Sequence, residues 1–245
     1  MNILSKITSN LINCFYPKHI KCICCKNELV TKNVYDLCNN CYINLPFINT
    51  NFCNRCGLQF EKDGKGVCLN CKANNFNFEL ARSALNFNDK VAPIIHKLKY
   101  ARYKFLAQPL SYLLYDVFIR QNWKIDIICY VPLFTTREKE RGYNQARELA
   151  INLSNLTSIP INNDITRIRN TPTQTKLSRR QRQENVKDCF KLINPKQFKN
   201  LNILLIDDVF TTGSTTNEIS KILKKANANK IYVLTVAHAG FIQKF

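Results

Sequence analysis

The sequence predicts an α/β fold, a parallel sheet wrapped by helices, with a small metal-stapled domain at the N-terminal side. Three observations predict it. Strand-like apolar runs alternate with helical patterns from residue 79 onward. The run Ile203, Leu204, Leu205, Ile206 is unbroken, as in a strand covered on both faces. Ten of the twelve cysteines fall before residue 72, and eight of these form Cys-x-x-Cys pairs.

The pairs are Cys22/Cys25, Cys38/Cys41, Cys53/Cys56 and Cys68/Cys71, separated by twelve, eleven and eleven residues. A two-residue spacer lets two thiolates of one knuckle face the same ion, and two knuckles complete a tetrahedral S₄ site. Eight ligands therefore make two sites. Sequential pairing is the simplest arrangement, and an interleaved one is compatible with the spacing. A disulfide framework would need an oxidising compartment, for which nothing in the sequence speaks. Ribbon-like spacing favours Zn²⁺ over an iron–sulfur cluster. Four cysteines close each site, so both ions are expected to be structural. A segment this short, with few large apolar groups, needs such staples. Cys24 lies inside the first knuckle; Cys14, Cys129 and Cys189 read as small hydrophobes. The expected domains are an amphipathic helix over 1–18, a double zinc ribbon over 19–74 and an α/β domain over 79–245.

Beyond the cysteines, residues 81–87 read as a strand. Residues 91–100 read as a helix with Ile94, Ile95 and Leu98 on one face and Lys97 and Lys99 on the other. A second helix, over 105–119, carries Leu106, Leu110, Leu113, Leu114 and Val117. Residues 125–133 form a buried strand containing Pro132, and 142–153 a helix. A short strand at 165–168 leads into a polar stretch running to about 188. The strand at 203, the helix after it and a last strand at 231–237 complete the pattern.

The acidic turn carries the most functional information. After Ile206 come Asp207 and Asp208, then the small residues Thr211, Thr212, Gly213, Ser214 and Thr215, then helical spacing in Glu218, Ile219, Ile222 and Leu223. Such an order places an anion site at a helix N-terminus, where free N–H groups and the helix dipole both favour phosphate. Four hydroxyls add donors, and Gly213 permits close backbone approach. A nucleoside-triphosphate loop is excluded, because the Gly-x-x-x-x-Gly-Lys-Ser/Thr run is missing. Carboxylates beside a monophosphate cradle suit ribose hydroxyls, directly or through Mg²⁺.

Of the 245 residues, 45% are apolar, and the formal net charge is +19. No apolar run reaches bilayer length. Leu4, Ile7 and Leu11 have helical spacing broken by polar residues, unlike a signal-peptide core, so the expected compartment is the cytoplasm. A charge of this size attracts nucleic acid, anionic lipid or phosphorylated substrates. A Lys-, Asn- and Ile-rich chain also arises from an A/T-biased genome, so local concentration says more than the total. It peaks at 137–147 and 167–182. The first peak reads as a second anion site facing a diphosphate. The second, long and polar, reads as a lid with Arg179, Arg180 and Arg182. His19 and His96 read as surface or packing histidines.

The stretch 202–215 resembles the 5-phosphoribosyl-1-diphosphate (PRPP) motif of the type I phosphoribosyltransferases. Nearly the whole chain resembles the ComF family, in which a double zinc ribbon is joined to such a domain. The resemblance is carried by the four Cys-x-x-Cys pairs, Leu45-Pro46, Cys56-Gly57, Leu98-Lys99-Tyr100 and Val131-Pro132-Leu133. It continues through Arg141-Gly142-Tyr143-Asn144-Gln145-Ala146, with Tyr for Phe, through Thr173, Gln174, Leu177, Arg182 and Asn185, and ends on 207–215. Val236-Ala237-His238 departs from the family's Ala-Arg, and His238 is assigned no role. The resemblance implies chemistry at C1 of PRPP with Mg²⁺. Asp207 and Asp208 would serve ribose hydroxyls and the cation, Thr211, Thr212, Gly213, Ser214 and Thr215 the 5-phosphate, and Lys97, Lys99, Arg137 and Arg141 the diphosphate. It also implies a role in natural competence, with single-stranded DNA and DNA-uptake proteins as partners. Three readings stand: a phosphoribosyltransferase, a PRPP or nucleotide sensor without turnover, and a DNA-binding component of uptake.

Overall fold

The computed structural model describes residues 20–61, 64–171 and 179–240. The expected helix over 1–18, with His19, Cys14, Thr173, Gln174 and Leu177, lies outside the described residues. The chain divides into two compact units, 1–45 and 46–245. The second four-cysteine cluster therefore belongs to the same unit as the sheet.

In the first unit the Cys22 knuckle closes through Cys22 N–H to Asn27 O (2.8 Å) and Lys26 N–H to Cys22 O (2.9 Å). Asn33 Oδ1 accepts from Tyr35 and Leu37 amides and so shapes the approach to the second pair. Helix α1 (Asn39–Ile43) starts immediately after Cys38 and carries Cys41.

The second unit repeats this knuckle. Cys53 N–H donates to Leu58 O (2.8 Å) and Gly57 N–H to Cys53 O (3.0 Å), and α2 (Leu69–Lys72) carries Cys71. Gly57 (φ +73°) stands where the first knuckle has Lys26 (φ +68°). A Cβ at Gly57 would lie 3.0 Å from Ala81 O, so the close approach of the knuckle to the sheet adds a requirement for glycine that Lys26 does not face.

Next come β1 (Leu80–Asn86), α3 (Ala92–Lys97), a 3₁₀ turn (Ala101–Leu106), α4 (Ala107–Gln121), β2 (Ile127–Tyr130), α5 (Thr135–Arg141) and α6 (Gln145–Thr157). Then follow β3 (Ile165–Arg167), α7 (Arg179–Val186), β4 (Phe190–Leu192), a 3₁₀ turn (Pro195–Phe198), β5 (Ile203–Phe210), α8 (Ser214–Lys225) and β6 (Ile231–His238). The main sheet is parallel throughout, in the order β1-β6-β5-β2, with Ile203 opposite Ile231 and Ile127 opposite Ile203. Ile203 to Ile206 are fully buried, as the unbroken apolar run requires. Helices α4 and α6 pack side by side against the sheet. Leu205 and Val233 share a core cluster with Ile219 and Leu223 of α8 and with all four cysteines of the second cluster. The expected α/β class is the one found.

Several boundaries differ from the sequence reading. The helix expected over 91–100 stops at Lys97, and the chain re-enters helix through a 3₁₀ turn. The basic segment after Pro132, for which the sequence reading named no helix before 142, contains α5, which Gly142 terminates in the left-handed conformation (φ +78°). Strand β3 is not part of the parallel sheet; it pairs antiparallel with β4. Three residues are too few to show which strand they will meet. The polar stretch before 188 contains α7. Among the described residues, no helix is long and apolar enough to cross a membrane.

Candidate functional site

Strand β5 continues past the apolar run through Phe210, so both carboxylates lie inside it, with Asp207 opposite Thr235 of β6. Alternation along a strand turns adjacent side chains to opposite faces. The strand ends at the small-residue turn, and α8 begins at Ser214. Thr211 to Gly213 thus form the turn, and Ser214 and Thr215 open the helix. The turn is braced internally: Thr212 and Ser214 hydroxyls are 2.7 Å apart, and Thr216 Oγ1 donates to Gly213 O (3.1 Å). Gly213 has φ +78°, and a Cβ there would lie 2.7 Å from Phe210 Cζ. Gly213, the N-cap of α8, has no side chain to cap with, Thr212 Oγ1 accepts from the Ser214 amide (3.4 Å), and the first turn holds no acidic residue, which leaves the positive end suited to an anion.

Asp207 Oδ1 accepts from Asp208 N–H (2.8 Å), and Asp208 Oδ1 from Val209 N–H (3.0 Å). Asp208 Oδ2 is buried and accepts no hydrogen bond; Lys99 Nζ lies 3.5 Å away. The two acids titrate apart. Burial, then the neighbouring Asp208 charge, pushes Asp207 well above the ordinary carboxylate value. Burial also opposes ionisation of Asp208, but Lys99, the Asp207 hydrogen bond and Arg141 outweigh it and hold Asp208 below that value.

The segment 141–145 explains how a cation is held here. Gly142 ends α5 and leaves Arg141 as its last residue. Tyr143 buries its ring and donates its hydroxyl to Leu98 O, tying this loop to the turn that carries Lys99. Asn144 caps α6, accepting from Ala146 and Arg147 amides at 2.9 and 3.3 Å, and donates to Val131 O just beyond β2. Gln145 Oε1 accepts from Arg141 Nη1 (3.0 Å) and orients the guanidinium. Burial lowers the Arg141 pKa, while Asp208 opposes that shift.

Of the predicted site residues, the structure brings Lys99, Arg141, Asp207 and Asp208 together. Arg137 lies close enough to Arg141 and Arg167 to oppose their charges, and donates to Thr171 O (3.3 Å). Lys97 ends α3 with Nζ 6.0 Å from the centre of the Tyr103 ring, and no contact joins it to the carboxylates. Arg182 lies on α7, as do the backbones of 179 and 180; Asn185 donates to Thr171 Oγ1 (3.3 Å). His96 is exposed beside Tyr100, in keeping with a surface histidine. His238 is buried against Phe210 and accepts from Gly240 N–H, and burial lowers its pKa to about 4. Sequence reasoning missed Arg167, which is 8% exposed, bonds Thr171 Oγ1 at 2.6 Å and feels the Asp207 charge. Its place in the basic peak at 167–182 was the available signal.

The cysteines pair sequentially. Cys22, Cys25, Cys38 and Cys41 form one group and Cys53, Cys56, Cys68 and Cys71 another, with all sulfurs of a group within 4.8 Å of one another. Cys25 and Cys38 sulfurs are 3.8 Å apart and those of Cys56 and Cys68 3.7 Å, close to the ~3.8 Å edge of a tetrahedron with 2.3 Å Zn–S bonds. Cys56 and Cys68 amides donate to Cys53 Sγ. Hydrogen bonds from Cys56, Cys68 and Cys71 pull the Cys53 thiol far below its ordinary value and in turn push Cys56 and Cys71 up, so the four thiols share their protons as one group that a bound ion would displace. These donor sets fit structural Zn²⁺. Cys24 stands outside the first group, and Cys129 and Cys189 are buried hydrophobes, as expected.

Residues 11–72 match the family model "Double zinc ribbon domain". Competence protein F of Haemophilus influenzae is 32% identical over 229 residues, covering 90% of this chain and 98% of that protein. The chain belongs to the ComF family. Other relatives are DNA utilization protein YhgH of Escherichia coli K12 (32% identical, 74% of this chain and 81% of that one) and Competence protein ComFC of Bacillus subtilis (24%, 82% and 83%). Among solved structures, the purine phosphoribosyltransferase of Pyrococcus horikoshii aligns at 18% identity with a TM-score of 0.34, over 54% of this chain and 72% of that one. A hypoxanthine phosphoribosyltransferase of Staphylococcus aureus aligns at 16% with a TM-score of 0.33, over 54% and 62%. In this ComF chain the Arg-Gly-Tyr-Asn-Gln segment is a single device. It stops one helix, starts the next, and holds a cation toward the acidic pair.

Proposed function

We propose that this ComF protein binds PRPP and acts as a phosphoribosyltransferase in DNA uptake or nucleotide metabolism. One observation carries the reading. The carboxylate pair Asp207 and Asp208, the second of them buried, stands near the end of a central parallel strand, between the acid-free N-terminus of α8 on one side and Lys99 with Arg141 on the other. Ligands of open parallel sheets sit beyond the carboxyl ends of the strands. The turn 211–215 supplies amides and hydroxyls for a 5-phosphate. Asp207 and Asp208 accept from ribose hydroxyls, and Asp208 Oδ2 has a lone pair to spare for a hard cation. Mg²⁺, when bound, would neutralise diphosphate charge. Lys99, Arg141, Arg137 and Arg167 stabilise the departing diphosphate, and Lys97, despite its separate position, remains a candidate for the same group. Departure leaves positive charge at C1, which a nitrogen nucleophile captures; positioning and electrostatics supply the rate. The relatives' names support the link to DNA.

A second reading is a PRPP sensor or single-stranded-DNA-binding component without turnover. The net charge of +19 favours contact with nucleic acid. Calorimetric titration of PRPP with Mg²⁺ into zinc-loaded protein decides first, against the double variant Asp207→Asn, Asp208→Asn. Heat in the wild type that disappears in the variant supports the site. A folded wild type that gives none removes the transferase and the PRPP sensor together and leaves DNA. Pyrophosphate release in an acceptor screen then separates enzyme from sensor.

A further inference from the structure

The segment between the second cysteine cluster and the sheet touches both the cluster and the acidic turn. Arg55 lies inside the Cys53–Cys56 knuckle. Its carbonyl accepts from Ala81 N–H (2.7 Å), and its Nη2 donates to Phe76 O (2.6 Å) and Phe78 O (3.2 Å). Phe76 and Phe78 are buried, with rings 4.7 Å apart at 22°. Phe78 in turn meets Phe210, the last residue of β5, edge to face at 6.0 Å.

The far side of this stack is the turn itself. A Cβ at Gly213 would stand 3.0 Å from Phe76 Cε1. Asn77 donates its amide (2.7 Å) and its side chain (3.1 Å) to Asn217 Oδ1, and Asn217 N–H donates to Gly213 O (2.8 Å). An uninterrupted chain of contacts therefore runs from the knuckle through Arg55, the 76–78 backbone and Phe76 to Gly213 and the first turn of α8. Phosphate recognition by backbone amides tolerates little displacement, so the packing behind the amides decides their aim.

We propose that Arg55 and Phe76 are positioning residues for the anion-binding turn, and that they make its geometry depend on the second cysteine cluster. The inference rests on reading 211–215 as a phosphate cradle. Neither residue touches the ligand; each acts through Gly213 and Asn217. The second cluster then supports the ligand site through this chain of contacts.

The test uses the zinc-loaded full chain with Phe76→Ala, Arg55→Gln and the conservative pair Phe76→Tyr and Arg55→Lys. Zinc content and the main melting transition establish that each variant is folded. Amide hydrogen exchange is followed at 211–217, with α4 as the internal reference. Disruptive variants should speed exchange at 211–217 about tenfold while α4 is unchanged. They should also weaken PRPP–Mg²⁺ binding about tenfold or more, with recovery in the conservative pair. Unchanged exchange at 211–217 in folded, zinc-replete variants would overturn the proposal. If Phe76→Ala does not fold, Arg55→Gln carries the same comparison. If the wild type binds no PRPP, the functional reading falls, while the exchange result still decides whether the two residues set the turn.

Discussion

Lys99 Nζ stands 3.5 Å from Asp208 Oδ2, a buried carboxylate oxygen that accepts no hydrogen bond. The lysine is 37% exposed on its side chain and the aspartate 10%, so solvent screens one end of the pair only. Lys99→Met should leave Asp208 with a weaker counter-charge and remove a diphosphate contact. PRPP affinity should fall about tenfold or more, with little change in melting temperature. Equal affinity in the variant would place the diphosphate elsewhere.

The divided titration of the acidic pair predicts a pH dependence. Asp207 is held above the ordinary value of 3.8 and Asp208 below it. A cation-bearing ligand needs both charged. Binding should therefore strengthen as pH rises through the raised Asp207 value, with release of a proton. Titrations in buffers of different ionisation enthalpy count that proton; a heat independent of buffer would contradict the expectation.

Stability should follow the opposite sign at Asp207. Its folded form holds a proton that the unfolded chain gives up, so its contribution is lost as pH rises above 3.8 toward the raised value. Asp208 contributes above 3.8 and loses that contribution as pH falls through its depressed value. Asp207→Asn removes the repulsion from Asp208 and should raise the melting temperature at neutral pH by about 2–4 °C while weakening PRPP binding. Thermal melts of both proteins across pH check the sign.

The two cysteine clusters should release metal at different rates. In the second cluster all four cysteines are buried, whereas in the first Cys25 is exposed and Cys38 and Cys41 half-buried. Competition with a chromogenic chelator should give two zinc equivalents per chain in a fast and a slow phase. Cys22→Ser should abolish the fast phase. Cys53→Ser should abolish the slow one and, because that cluster packs in the sheet's core, lower the main melting transition as well.

Tyr143→Phe removes the hydroxyl donated to Leu98 O and leaves that carbonyl short of a partner. A loss of about 1 kcal/mol is expected, equivalent to about 2–4 °C in a chain of this size. PRPP affinity should fall too, because the bond ties the Lys99 turn to the Arg141 loop. A stability loss with unchanged affinity would show that the bond holds only the fold.

Much of this site was legible because its signals are local. The Ile203 run, the acidic pair and the small residues after it occupy consecutive positions, and consecutive positions determine a strand, a turn and a helix start. Arg141 to Gln145 were legible as a group, but not the separate task of each. That required seeing Leu98, Val131 and the first amides of α6 in one place. Arg167 and Lys97 show the limit from both sides. One is buried within reach of the Asp207 charge, the other lies on Tyr103, and neither outcome follows from spacing along the chain.

Local sequence specifies the α/β class, the four Cys-x-x-Cys pairs and the small-residue turn after the acidic pair. Each depends on residue type at short, fixed separations, where backbone geometry leaves few alternatives. Long-range packing takes β3 out of the parallel sheet to pair with β4, groups the cysteine pairs sequentially, draws the second cluster into the sheet's core and sets Phe76 behind Gly213. These are contacts between residues distant in sequence. They are selected by the packing of whole elements, a choice no local window contains.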